Sequence, residues 1–425
     1  MSEYGFETKM VHAGYDGDRA THAAVPPLYL TNAYTFDDTA HAASLFELKE
    51  PGNIYTRLQN PTNAFLEDRM CSLEGGAGAL AFSSGHAAIF NAIVNLCGEG
   101  DEFVSSINIY GGAVNLFGVS LKRLGIKVRF VNPDNLDEWE NAVTDRTKLF
   151  FTELIGNPNA NVADIEAIAE IAHRHGIPLM VDSTFTTPYL CRPIEWGADL
   201  VVHSATKFLG GHGQVMSGIL VDSGKFVFKG NDRFPLFNAP DPSYHGVVFA
   251  DLGEAAFISR LRALITRDFG ACPSPFNSFM VLNGIETLSV RMERHCKNAL
   301  AVAEFLEQNS QVDRVNYPAL KSSRYYGLCK KYSPLGGGGV FTFELKGGRA
   351  AGVKFMDSLK LFKIVANVGD VRSMVIHPAT TTHSQLSPEQ LIASGVTENT
   401  VRLSIGLETT EDIIADLAQA IEKTK

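Results

Sequence analysis

Short apolar runs alternate with longer segments of helical periodicity from residue 61 to about residue 265. The runs Gly78–Phe82, Lys148–Glu153, Ile177–Asp182 and Ala198–Val202 read as strands, each brief, apolar and ended by polar or small residues. Ala87–Cys97 and Asp164–His175 place apolar residues at helical spacing. Strands and helices in alternation predict a mostly parallel α/β sheet. From about residue 270 the pattern changes. One long helical stretch, Pro275–Glu307, precedes strand-like segments near residues 340, 363, 374 and 401 and helical ones near 349, 388 and 411. The run Gly336–Gly339 reads as the turn before a strand over Val340–Leu345. Residues 1–60 hold Thr, Asn, Pro and aromatics without a long periodic segment, which suits an arm laid over another surface. The expected division is an arm over 1–60, a large α/β domain over 61–265 and a smaller α+β domain over 266–425.

Composition narrows the class. At 425 residues and 45% apolar the chain can bury a large core in more than one domain. A formal charge of −10 with no basic block argues against nucleic acid as a partner. The opening MSEYGFETKM lacks an apolar signal core and no run reaches membrane-spanning length, so no membrane partner is expected. Six scattered cysteines without a Cys-x-x-Cys read as reduced thiols in a cytoplasmic protein. Twelve histidines, with spacings such as His203–His212 and His377–His383 and no HExxH, fit no common zinc pattern, and no metal is expected. A nicotinamide site is not expected either, because no GxGxxG follows a strand.

Four polar features gather at predicted strand ends. Lys207 ends Val201-Val-His-Ser-Ala-Thr-Lys207, just ahead of Gly210-Gly211. Its amine can form an imine with an aldehyde while Ser204 and Thr206 hold a phosphate, and pyridoxal phosphate carries both groups. Asp182 ends the strand Ile177–Asp182. A carboxylate there keeps a pyridine nitrogen protonated, and taken alone it equally suits a turn cap. Ser84, Gly85 and His86 stand between a strand and a helix, an arrangement that offers free N–H groups and a helix dipole to an anion. Asn157 follows the strand Lys148–Glu153. In open α/β sheets the carboxyl ends of the strands form the ligand-binding edge.

Four longer stretches extend the pattern: Tyr55-Thr-Arg-Leu-Gln-Asn-Pro-Thr62, Val202-His-Ser-Ala-Thr-Lys207, Pro240-Asp-Pro-Ser-Tyr-His-Gly246 and Asn367-Val-Gly-Asp-Val-Arg-Ser-Met-Val-Ile-His-Pro378. On these the whole chain resembles the cysteine and methionine metabolism family of pyridoxal-phosphate enzymes, of the aspartate-aminotransferase-like fold (fold type I). The last two favour its sulfhydrylase branch over the cystathionine and methionine lyases. Two departures are visible. Val181-Asp-Ser-Thr184 stands where the family usually has Val-Asp-Asn-Thr, and residues 154–156 read Leu-Ile-Gly where lyase relatives often have Ser-Pro and one variable residue.

The resemblance implies pyridoxal 5'-phosphate anchored on Lys207, which also serves as general base, with Asp182 on the ring nitrogen and Ser204, Thr206 and the Gly85–His86 backbone on the phosphate. It implies a tyrosine, Tyr110, against the ring, a position that spacing alone also grants to a core aromatic. Asn157 and Thr184 fit the ring edge. Arg402, on Thr400-Val-Arg-Leu-Ser-Ile-Gly406, would clamp the substrate carboxylate, with Asn367 and Arg372 in the same pocket. Tyr55 and Arg57 would complete the phosphate site of a neighbouring subunit in a homotetramer built from dimers. The implied reaction is γ-replacement on a homoserine ester in methionine biosynthesis, giving homocysteine. The residues leave open the ester among acetyl, succinyl and phospho, and the sulfur donor among sulfide, a thiol and a sulfur-carrier protein. The alternatives weighed are a γ-lyase or γ-synthase of the same family and a non-catalytic binding protein on this fold.

Overall fold

A computed structural model describes residues 3–47, 49–244, 246–381 and 395–424. Seven strands form the central sheet: β1 (Gly78–Phe82), β2 (Glu102–Ser106), β3 (Lys127–Val131), β4 (Thr147–Glu153), β5 (Leu179–Asp182), β6 (Leu200–His203) and β7 (Gly218–Asp222). Their order is β1-β7-β6-β5-β4-β2-β3. β7 runs antiparallel to both neighbours and every other pairing is parallel. Helical crossovers cover both faces, which is why β4 and β6 are buried at every position. Alternate residues feed two cores. Phe150, Val181, Val201 and Val221 face the helices Pro61–Glu74 and Ile165–Arg174. Phe151, Met180, Val202 and Leu220 face the helix Gly85–Leu96. Each such side chain contributes about 1.5–3 kcal/mol on burial.

The second sheet contains β8 (Val312–Asn316), β9 (Val340–Leu345), β10 (Lys363–Ile364), β11 (Met374–Ile376) and β12 (Thr400–Ser404), in the order β10-β11-β12-β9-β8. Phe341, Phe343, Val401 and Leu403 join the first of the two cores, so one apolar cluster spans both sheets. The change of pattern near residue 270 falls in the loop between the helical segment ending at Phe269 and the helix that starts at Pro275.

Several elements differ from the sequence expectation. The stretch Pro275–Glu307 is two helices, Pro275–Ile285 and Leu288–Glu307, broken at Glu286-Thr287. β3 escapes an apolar-run reading because it is the sheet edge, with Lys127 and Arg129 exposed. The segment 1–60 is partly ordered on its own chain. Phe6–His12 is helical and packs Phe6 on Tyr189, and Ala13 O accepts a 2.7 Å bond from Arg69 Nε. Thr39–Phe46 is a second short helix, its N-cap Asp38 accepting from His41 N–H. The helix expected near residue 388 lies outside the described residues. All six cysteines are free; Cys97, Cys191, Cys296 and Cys329 are buried, and burial pushes these thiols up, away from reactivity. Among the described residues no helix is long and apolar enough to cross a membrane.

Candidate active site

The strand order makes β4, β5 and β6 immediate neighbours, so their carboxyl ends deliver Glu153, Asp182 and the turn after His203 to one edge. A pocket of about 320 Å³ opens there, lined by Ser84, Gly85, His86, Tyr110, Asn157, Asp182, Thr184, Ser204, Thr206, Lys207, Asn367 and Arg402. One residue expected in this chain's own pocket, Arg372, does not line it.

One end of the pocket is the start of the helix Gly85–Leu96. Ser84 is its N-cap, its Oγ accepting from Ala87 N–H at 3.1 Å. Gly85 is required by a close approach: a Cβ there would sit 2.7 Å from Ser204 Cβ and 2.8 Å from Ser204 Cα. Ser204 N–H donates to Thr184 Oγ1 at 2.8 Å, which ties the β5 turn to the β6 turn. Thr206 Oγ1 donates to Ser217 O at 3.1 Å and accepts from Ser217 N–H at 3.0 Å. Its hydroxyl is thus held on the Ser217 main chain while the residue lines the pocket beside Ser204.

The other end is cationic. Lys207 Nζ donates to Asn367 Oδ1 at 2.5 Å. Arg402 Nη1 donates to Asn157 Oδ1 at 3.1 Å, and Nη2 to Asn367 O at 3.4 Å. Burial, then the charge of Arg402, pushes the Lys207 amine down to about 8. Burial pushes Arg402 down to about 10 against the pull of Tyr110 and Glu153. Asp182 is held above the usual carboxylate range by burial, opposed by its hydrogen bonds with Thr184. Its Oδ1 accepts from Thr184 N–H at 2.9 Å. Tyr110 meets His86 edge-on, ring centroids 5.5 Å apart.

Arg372 is a correction. Although expected in the pocket, it is 62% exposed and pairs with Asp370, Nη1 to Oδ1 at 2.8 Å. Its N–H also donates to Asp370 Oδ1, so the turn that begins at Gly369 carries the side chain outward. Tyr55 and Arg57 also lie outside this chain's pocket. Tyr55 is 41% exposed, and the Arg57 guanidinium sits 5.4 Å from its ring centroid. Conversely, Glu153 lines the pocket and was not singled out from the sequence. Its signal was its place at the end of the strand beside the Asp182 strand.

These residues fit pyridoxal phosphate. A half-buried lysine with a lowered proton affinity suits imine chemistry. A partly buried carboxylate at the strand end, held above its usual range, suits pairing with a protonated ring nitrogen. A helix N-terminus suits the phosphate. The family model for Cys/Met metabolism PLP-dependent enzymes matches residues 7–422. The chain belongs to this family. It is 50% identical over 420 residues to the O-acetyl-L-homoserine sulfhydrylase of Corynebacterium glutamicum, covering 98% of this chain and 96% of that one. It is 49% identical over 420 residues to the homocysteine synthase of Schizosaccharomyces pombe, with 98% of each covered. A crystal structure of a putative O-acetylhomoserine (thiol)-lyase from Campylobacter jejuni, carrying N'-pyridoxyl-lysine-5'-monophosphate, superimposes with a TM-score of 0.96 at 42% identity. That match covers 99% of this chain and 100% of that one. Family membership makes this a pyridoxal-phosphate-dependent enzyme with the aspartate-aminotransferase-like fold.

Proposed function

We propose that the chain catalyses γ-replacement on O-acetyl-L-homoserine, exchanging the γ C–O bond for a C–S bond with sulfide or a thiol and releasing acetate and L-homocysteine or its S-alkyl product. The observation that carries this reading is the convergence of Lys207 and Arg402 on Asn367 in the pocket that holds Asp182 and the Gly85 helix start. Near-50% identity over 98% of the chain to proteins named for that reaction supports the choice of substrate.

Bound pyridoxal phosphate supplies an electrophilic carbon for the substrate amine and a sink for electrons released at the α-carbon. The chain supplies the rest. The Gly85–His86 N–H groups, Ser204 and Thr206 would hold the phosphate, Asp182 would keep the proton on the ring nitrogen, and Tyr110 would lie against the ring. Arg402 grips the substrate carboxylate with a forked guanidinium whose charge no carboxylate among the described residues pairs. Lys207 Nζ, with its proton affinity lowered to about 8, takes and returns the α-proton. Tyr55 and Arg57, exposed and outside the pocket, are assigned to the phosphate site of a neighbouring copy in a homotetramer. The units 1–60, 61–265 and 266–425 then act as arm, cofactor domain and C-terminal domain.

The test is product analysis on purified holoenzyme. O-acetylhomoserine with sulfide should give homocysteine and acetate, and without thiol only slow α-ketobutyrate and ammonia. Faster α-ketobutyrate formation from methionine than thiol-dependent replacement would overturn the assignment in favour of a γ-lyase.

A further inference from the structure

Asp182 has a second carboxyl group beside it. Glu153 ends β4 directly opposite Asp182 in the parallel register of β4 with β5, so the two side chains leave the same face of the sheet and line the same pocket. Glu153 is 7% exposed. Its Oε1 accepts the Tyr110 N–H at 2.7 Å, and the Asn157 main chain also bonds to it.

Arg402 and Lys207 are the cations nearby, and the charge of Arg402 favours an ionised Glu153. Arg402 is shared between Asn157 and Asn367, and Lys207 is bonded to Asn367. His203 is held by Glu74 at 2.5 Å, and His86 lies edge-on to Tyr110. Two like charges a few ångströms apart in a dry site do not both ionise at neutral pH. Burial first, then the charge of Asp182, holds Glu153 well above the usual carboxylate range. A pyridine nitrogen supplies one cation for one carboxylate. Asp182 opens onto the pocket, whereas Glu153 is turned to the main chain of Tyr110.

We propose that Glu153 is a positioning residue that works protonated: its neutral carboxyl anchors the Tyr110 main chain and leaves Asp182 the one ionised carboxylate lining the pocket among the described residues. The whole charge of Arg402 then stays available to a substrate carboxylate. The inference rests on the cofactor-binding reading of the pocket and is independent of which ester is the substrate.

The experiment is infrared difference spectroscopy on holoenzyme, wild type against Glu153→Gln, in water and heavy water at neutral pH. The expected result is a protonated-carboxyl C=O band in wild type that is absent from the variant. No such difference means that Glu153 is ionised, and the proposal fails. A second comparison separates charge from shape. Glu153→Gln keeps an acceptor for Tyr110 and should hold kcat and KM within about threefold. Glu153→Leu removes the acceptor and should lose about tenfold or more in kcat with the bound-cofactor absorbance retained. Equal losses in both variants would mean that the charge itself is needed, which overturns the proposal. If the leucine variant does not fold, the infrared result on Glu153→Gln decides. The infrared band requires no turnover, so wild type inert toward O-acetylhomoserine but showing the band would refute the substrate assignment and support the proton on Glu153.

Discussion

Replacing Arg402 with alanine tests the substrate clamp at its most exposed assumption. Arg402 lies mid-strand on β12, 3% exposed, opposite Thr342 of β9 and Ile376 of β11. Its hydrogen bonds go to neutral acceptors, Asn157 Oδ1 and Asn367 O, so the guanidinium carries a charge with no carboxylate paired to it among the described residues. Burial lowers its proton affinity only to about 10, so it stays cationic at neutral pH. A substrate carboxylate arriving there gains two charge-assisted bonds, each worth about 1.5–3 kcal/mol. Losing the fork should therefore cost about 3–5 kcal/mol, or roughly 10²–10⁴ in kcat/KM for O-acetylhomoserine. Removing a desolvated, unpaired charge relieves an electrostatic cost, so little of the effect should appear as unfolding. The assay is steady-state kinetics of Arg402→Ala and Arg402→Lys beside the visible spectrum and melting temperature of each. The spectrum should stay near wild type, and lysine, which keeps the charge without the fork, should fall between alanine and arginine. A kcat/KM within about threefold of wild type in the alanine variant would refute the clamp and leave Arg402 a structural residue of the Asn157–Asn367 network.

Lys207→Ala should abolish turnover, and borohydride reduction of wild type followed by peptide mapping should place the pyridoxyl label on Lys207; label on another lysine refutes the assignment. Gly85→Ala should cost about 1–3 kcal/mol of stability by overpacking against Ser204 and should weaken cofactor retention, read by melting and by equilibrium dialysis; normal cofactor affinity would mean that this helix start does not hold the phosphate. Mixing inactive Arg57→Ala with inactive Lys207→Ala subunits should restore activity in part, since some mixed oligomers contain a site with both wild-type residues. No recovery after verified subunit exchange would count against a shared site.

Much of the site was legible because its chemistry sits at strand ends. A short apolar run ending in a polar residue is a local pattern, and Asp182 and Lys207 stand where such runs stop. The Ser84-Gly85 turn is legible for the same reason: the cap, the glycine and the helix are contiguous. The placement of Arg372 was not legible. Its motif lies near Asn367, yet an Asp two residues earlier pairs with it and turns it to solvent. Nor was the antiparallel return of β7 beside β6 legible, which sets Ser217 against the Thr206 hydroxyl.

By itself, then, the sequence determined four of the seven central strands and four of the five in the second sheet, which residues end them and which cofactor those residues can hold, because burial period and turn chemistry are encoded within a few neighbouring positions; β2, β3, β7 and β8 escaped it. Only the tertiary structure decided that β4 and β5 are adjacent and in register, which sets Glu153 against Asp182 from 29 residues away along the chain. It also brought Arg402 of the second sheet to Asn157, in the turn after β4, across 245 positions. Such pairings depend on strand order and on the packing of one sheet against another, and no local pattern carries that information.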